Sequence, residues 1–343
     1  MRLLTWLTLV ASLAAAQGPS GPDRVIFDTD CAFFNDDGAA LAMLLEKPDK
    51  VNVLGLTVVP GNLWPLQGAE DMFRILDVMK RGAIPLYLGA ATPLVHTRAM
   101  AEKENHDWGP IPYLGMFGQD PPEKKQKTAR RASHRSAVDF LIDTIDREPG
   151  EVTLLAIGPM TNIAIALRMR PDLETKIKRI VFMGGAVHVP NYDQRAAEFN
   201  FWFDPEAASI VLRSAIKEKI MFGLDICNHA RINKTHFDQI VAAKTPVTEL
   251  YKEDLGKRFK EHPDLQTYIW DCLAAGYLLD PSFVTKHETA YLDVDTAFGK
   301  NYGAVKPLDR ALAPDATPVE VMLDLDFAKF FALYKDLLTQ PLE

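Results

Sequence analysis

Short apolar, β-branched runs alternate along this chain with segments whose apolar residues recur at helical spacing, and this alternation constrains the fold more than any other feature. Strand-like runs fall at residues 24–28, 51–59, 152–157, 180–183 and 220–224, and helix-like segments at 36–46, 65–80, 137–147, 161–169 and 205–214. Neighbouring parallel strands need a crossover, which a helix supplies. The pattern therefore predicts an α/β fold, a Rossmann-like, mostly parallel or mixed sheet with helices on both faces. In such sheets ligands bind beyond the carboxyl ends of the strands, so polar residues just after a strand are where chemistry is expected.

The composition narrows the class. A length of 343 residues with 48% hydrophobic and 24% charged residues is that of an ordinary globular chain. A net charge of −8 without a basic stripe speaks against a nucleic-acid partner. Met1-Arg2, an apolar run from Leu3 to Leu13 and Ala14-Ala15-Ala16 before Gln17 read as a secretory signal peptide over residues 1–16, too short to span a membrane. The expectation is a single domain over residues 17–343, exported to the periplasm or the extracellular medium, with no membrane partner after cleavage. Cys31, Cys227 and Cys272 make neither a disulfide framework nor a zinc spacing, and are expected as small buried thiols near one sheet edge. Asn233-Lys234-Thr235 forms a single glycosylation sequon. Residues 91–131 are long, polar and broken by Pro and Gly, as in a lid or binding loop. Their basic cluster, Lys124-Lys125-Gln126-Lys127 with Arg130-Arg131, reads as solvated surface.

The chemistry concentrates where the first strand ends. Asp28, Asp30, Asp36 and Asp37 lie within ten residues at a strand-to-helix turn. Ionised together at short range they repel by several kcal/mol, of order, in a low dielectric. A helix N-terminus offsets a little of this, and a hard divalent cation far more. An all-oxygen donor set suits Ca²⁺ or Mg²⁺. An apolar strand ending Asp-x-Asp also opens aspartate-nucleophile phosphatases, but the later Gly-Asp-x-x-x-Asp that completes their site is absent from the chain.

Further motifs follow in order. Val25-Ile26-Phe27-Asp28-Thr29-Asp30 with Asp36-Asp37 is followed by Thr57-Val58-Val59-Pro60-Gly61-Asn62, then by Ala156-Ile157-Gly158-Pro159-Met160-Thr161-Asn162-Ile163-Ala164. Met183-Gly184-Gly185 leads to Glu198-Phe199-Asn200 and Asp204-Pro205-Glu206-Ala207-Ala208, and Trp270-Asp271 precedes Leu279-Asp280-Pro281-Ser282. Together these resemble the inosine-uridine-preferring nucleoside hydrolase family over nearly all of the chain after the leader. The resemblance implies hydrolysis of the N-glycosidic bond of ribonucleosides at a Ca²⁺ site, by a homo-oligomer (dimer or tetramer). It implies that Asp30, Asp37, the Ile157 backbone carbonyl and Asp271 hold the metal and that Asp30 is the general base. Asp36, Asn62, Asn191, Glu198 and Asn200 would grip the sugar. These residue types suit the chemistry, since cleavage of C1′–N develops oxocarbenium character that anionic and neutral acceptors favour. The competing reading of Glu198 and Asn200 is a helix-entry cap before Asp204-Pro205.

Two departures from the family pattern bear on the assignment. Five residues separate Asp30 from Asp36, two more than in the shortest family form, so the loop must bulge and the roles of Asp36 and Asp37 are open to exchange. Trp270 stands where inosine-uridine-preferring members carry a histidine that acts as leaving-group acid. An indole cannot donate that proton but can stack on a base, with Trp108 as the expected second wall; the larger face of a purine then predicts purine preference. The alternative is that Trp270 is an apolar plug. His106 is a further candidate acid. Two rival functions stay open, a hydrolase of another ribosyl compound and a catalytically silent nucleoside-binding protein.

Overall fold

The computed structural model describes residues 21–34, 36–122, 130–191 and 196–342. The expected leader at 1–16 and the lysines of the basic cluster lie outside the described residues. The chain opens with β1 (Asp23–Thr29), α1 (Asp36–Leu45), β2 (Val51–Val58), α2 (Pro65–Val78) and β3 (Leu86–Leu88). It continues through α3 (Arg98–Trp108), α4 (Ala137–Arg147), β4 (Val152–Ala156), α5 (Thr161–Met169), β5 (Arg179–Met183), α6 (Phe199–Phe203), α7 (Pro205–Leu212), β6 (Lys219–Phe222) and α8 (Leu224–Cys227). The last part holds β7 (Arg231–Asn233), α9 (Lys234–Val241), α10 (Pro246–Glu261), β8 (Gln266–Tyr268), α11 (Trp270–Leu279), β9 (Val284–Ala290), β10 (Leu292–Val294), β11 (Val305–Pro307), β12 (Val319–Leu325) and α12 (Phe327–Thr339).

The main sheet has eight strands in the order β3-β2-β1-β4-β5-β6-β12-β9. All pairings are parallel except β12 with β9, so the sheet is mixed, as the alternation of segments predicts. Its central strands β1, β4 and β5 are almost wholly buried, which is why they read as unbroken apolar runs. One apolar core packs α1, α2, α11 and α12 on one face, and a second packs α4, α5 and α7 on the other.

Two details differ from expectation. Residue 224 belongs to α8 rather than to the strand, because Gly223 breaks the run and caps the new helix. Within 91–131 the chain forms α3 and a 3₁₀ turn, Gly115–Gly118, rather than a plain loop. The polar face of α3 hid it from a hydrophobic pattern, for only Ala101 and Glu104 of its residues are buried. Arg130, at the described end of the basic cluster, is fixed to α2 by Asp77 and by stacking on Phe73. Among the described residues no helix is long and apolar enough to cross a membrane.

The three cysteines are buried free thiols behind the acidic turn. Cys31 donates to the Phe33 carbonyl (3.0 Å) and Cys272 to that of Asp36 (3.4 Å). The extra residues after Asp30 are taken up by a turn in which Phe33 has φ 62° and its N–H donates to Asp71 (2.9 Å).

Candidate active site

Because β1, β2, β4 and β5 run parallel, their carboxyl ends deliver Asp30, Asn62, Ile157 and Gly184-Gly185 to one edge of the sheet. The N-termini of α1 and α11, packed side by side, bring Asp36, Asp37 and Asp271 to the same place. Carboxylate oxygens of Asp36, Asp37 and Asp271 come within 4.8 Å of one another. Asp36 looks into the cavity, whereas Asp37 lies fully buried beneath it, accepting from Thr29 Oγ1 and from Asn62 Nδ2 (3.5 Å).

Asp30 is buried at the floor. Its Oδ2 accepts from the Asn62 N–H (2.7 Å), and its Oδ1 has no hydrogen-bond partner among the described residues. Burial, then repulsion from Asp37, holds the Asp30 carboxyl well above the usual carboxylate range. Burial and the surrounding aspartates do the same to Asp271. Asp36 is pushed up to about 6 by burial, against N–H groups at the starts of α1 and α11 that favour its anion. Two helix N-termini thus favour negative charge here but do not neutralise it. An orphaned buried oxygen beside three converging carboxylates fits a hard divalent cation. Asp30 is not one of the trio, and Asp36, assigned to the sugar, is.

A cavity of about 400 Å³ opens above these carboxylates. It is lined by Asp30, Asp36, Asn62, Ile157, Glu198, Asn200, Trp270 and Asp271. Glu198 is a helix cap, though of the short α6 and not of α7, which Asp204 caps. The Glu198 carboxylate accepts from the N–H groups of Asn200 (2.9 Å), Phe201 (3.2 Å) and Gly185 (2.8 Å), and it also faces the cavity. Burial raises its carboxyl while those N–H groups oppose the rise. Asn200 Nδ2 donates to the carbonyls of Ile157 (3.0 Å) and Met183 (3.1 Å), so it ties the ends of β4 and β5 together.

Three expected participants are placed elsewhere. The indole of Trp108 packs on Phe298 (centroids 5.6 Å) and does not line the cavity, since α3 ends there and Gly109, at φ 95°, turns the chain away. The aromatic walls come instead from Tyr268, 4.7 Å from Trp270, and from Tyr113 with Phe199, 5.1 Å apart. His106 is exposed against Asp107 (2.9 Å). Asn191 is buried but outside the lining residues, next to residues 192–195, which are not described.

Sequence reasoning missed Tyr113, whose hydroxyl donates to Asn62 Oδ1 (2.8 Å), and Arg258, the cation in the cavity wall. Tyr251, Leu255 and Arg258 follow each other at helical spacing on α10, the one signal that could have placed the arginine.

Gly61 is a fixed point of the site, because a Cβ there would collide with the Asp30 carboxylate. Gly61→Ala is expected to displace Asp30 and lower kcat about 100-fold, in line with the cost of small misplacements, while Tm changes little. Steady-state kinetics with a melting curve checks this; an unchanged kcat would show that the carboxylate has room to move.

A family profile described as inosine-uridine preferring nucleoside hydrolase matches residues 25–332 of the chain. The chain belongs to the inosine-uridine-preferring nucleoside hydrolase family. Members are N-ribohydrolases acting on ribonucleosides, generally with a metal, and the chain is an enzyme of this class. It is 30% identical over 304 residues to the pyrimidine-specific ribonucleoside hydrolase RihB of Escherichia coli (strain SE11), covering 87% of this chain and 92% of that protein. Among solved structures it is similar to an inosine-guanosine nucleoside hydrolase (TM-score 0.74, 25% identity, 92% of this chain and 98% of that one). It also shares the fold of the plant nucleoside hydrolase PpNRh1 (TM-score 0.76, 24% identity, 93% and 100%).

Proposed function

We propose that the chain is an exported, Ca²⁺-dependent N-ribohydrolase that prefers purine nucleosides and works as a homo-oligomer, a dimer or tetramer. The observation that carries the reading is Asp30 Oδ1, buried and without a hydrogen-bond partner among the described residues, on the floor of a carboxylate-lined cavity. Asp37, Asp271, the Ile157 carbonyl and Asp30 or Asp36 are the oxygens that would hold Ca²⁺. When bound, the ion supplies charge that keeps these carboxylates ionised and acidifies a neighbouring water.

The chain's own residues do the rest. Asp30 Oδ1 takes the proton of the attacking water, its Oδ2 being held by Asn62 N–H. Asp36 and Glu198 place negative charge where C1′ turns cationic, and the amides of Asn62 and Asn200 orient the ribose hydroxyls. The base leaves between Trp270 with Tyr268 on one side and Tyr113 with Phe199 on the other. Arg258 at the cavity wall is placed to offset the charge that the base carries away, a role open because no histidine stands at position 270. The leader expected at residues 1–16 supports export.

Base preference has a second reading, since the curated relative RihB is pyrimidine-specific. The test measures reducing-sugar release from inosine, guanosine, adenosine and uridine, with Ca²⁺ and with a chelator, for the protein and its Trp270→Ala variant. Chelator-sensitive release, fastest with purines and about tenfold slower in the variant, is expected, as stacking is worth about 1–3 kcal/mol per base. Release from uridine alone would keep the hydrolase and discard the stacking argument. Nucleoside binding without sugar release would mark a binding protein, and no binding would point to another ribosyl compound.

A further inference from the structure

Helix α6 carries Glu198 at its N-cap and Asn200 in its first turn, yet it has only five residues. A helix this short does not hold its own place, so its outer contacts decide where its site residues stand. Those contacts converge on Trp202, buried on the side away from the cavity. Its Nε1 donates to Glu104 Oε2 (2.8 Å). The other oxygen of Glu104 stands 3.5 Å from Nε2 of His96, a close contact but not a hydrogen bond; both side chains are buried, and among the described residues neither that oxygen nor either imidazole nitrogen has a hydrogen-bond partner. His96 sits edge-on to Phe117, Trp202 and Tyr302, with centroids 4.8–5.2 Å away. Behind them Gly303 packs so closely on the backbone that a Cβ there would come within 2.7 Å of Trp202 Cα.

Burying a carboxylate and an imidazole is costly, and a buried pair adds little net stability compared with apolar packing. A pair kept in such a place is better explained by geometry than by stability. Glu104 belongs to α3, whose following segment brings Tyr113 to Asn62, so the pair connects two walls of the cavity.

We propose that His96 and Glu104 form a buried strut that acts through Trp202 to position α6, and with it Glu198 and Asn200, for N-glycosidic hydrolysis. They are positioning residues, remote from the reacting atoms. The kinetic part of the inference rests on the function proposed above; the mechanical part does not.

The test compares Glu104→Gln, which keeps an acceptor but removes the charge opposite His96, with Trp202→Phe, which keeps a ring but removes the donor. Two quantities are read: steady-state kinetics on the fastest nucleoside, corrected for the folded fraction, and amide hydrogen exchange over Phe199–Phe203. The expected result is a loss of about tenfold or more in kcat with KM within about twofold for Trp202→Phe, the size of a lost hydrogen bond to a charged group, and a smaller loss of the same kind for Glu104→Gln, which keeps that bond. The double variant should be little worse than the poorer single one, because both changes break one connection. Exchange should accelerate about tenfold in α6 while β1 and β4 stay protected. Unchanged local exchange, or activity lost only in proportion to unfolded protein, would overturn the strut. Should the unaltered protein cleave no nucleoside, the functional reading fails alone, and the exchange pattern still decides the mechanical role.

Discussion

Asp30→Asn is expected to lower kcat for nucleoside cleavage about 1,000-fold, within the range lost with a general base, while KM changes far less. The amide cannot take the proton of the attacking water, but it fits the same space and still accepts from the Asn62 N–H. The same variant should melt higher than the parent in chelator at neutral pH. It removes one member of a buried set whose carboxyls are raised by desolvation and by each other. Kinetics paired with a melting curve reads both effects. Retention of more than about a tenth of kcat would reassign the base, with Asp36 the next candidate in the cavity.

A dependence of Ca²⁺ stabilisation on pH is the second large effect. Burial raises Asp36 to about 6 and Asp28 to about 7, and holds Asp30 and Asp271 well above the usual range. In the unfolded chain these carboxyls titrate near ~3.9. A carboxyl with a raised folded value binds its proton more tightly in the folded state. Its contribution is therefore fully present below the unfolded value and is lost as pH rises through the folded one. In chelator, Tm should fall as pH rises from about 5, most steeply between the unfolded and folded values, and the contributions of Asp36 and Asp28 should level off once pH passes their folded values of about 6 and about 7. A cation binds the ionised carboxylates, so saturating Ca²⁺ should raise Tm by about 5 °C or more at pH 8 and by much less at pH 5. Thermal melts at both pH values, with Ca²⁺ or chelator, test this. An equal gain at both pH values would separate the ion from these carboxylates.

The two expectations concern the same few residues and differ in how far the sequence could reach. Asp28, Asp30, Asp36 and Asp37 were legible because a strand-to-helix turn is local, and four carboxylates at one turn repel unless something offsets their charge. Asp271, about two-thirds of the chain's length away, entered through its family motif; its convergence on Asp36 and Asp37 comes from the packing of α11 against α1. The central strands were legible for a similar reason, as burial on both faces demands a continuous apolar run. The strands β3, β9 and β12 were not read, the first for its brevity and β9 because its exposed edge is polar.

Side-chain direction lay beyond the sequence. Trp108 looked like a wall of the site, but the end of α3 sends it to Phe298, and Tyr113, Tyr268 and Arg258 occupy the walls instead. His96 and Glu104 look like ordinary polar residues of a long connection, and only tertiary packing buries them side by side against Trp202. Periodicity and local charge report what a segment must bury or neutralise. Which distant segment does the burying is settled by the register of strands and the packing of helices, and those exist only in the folded chain.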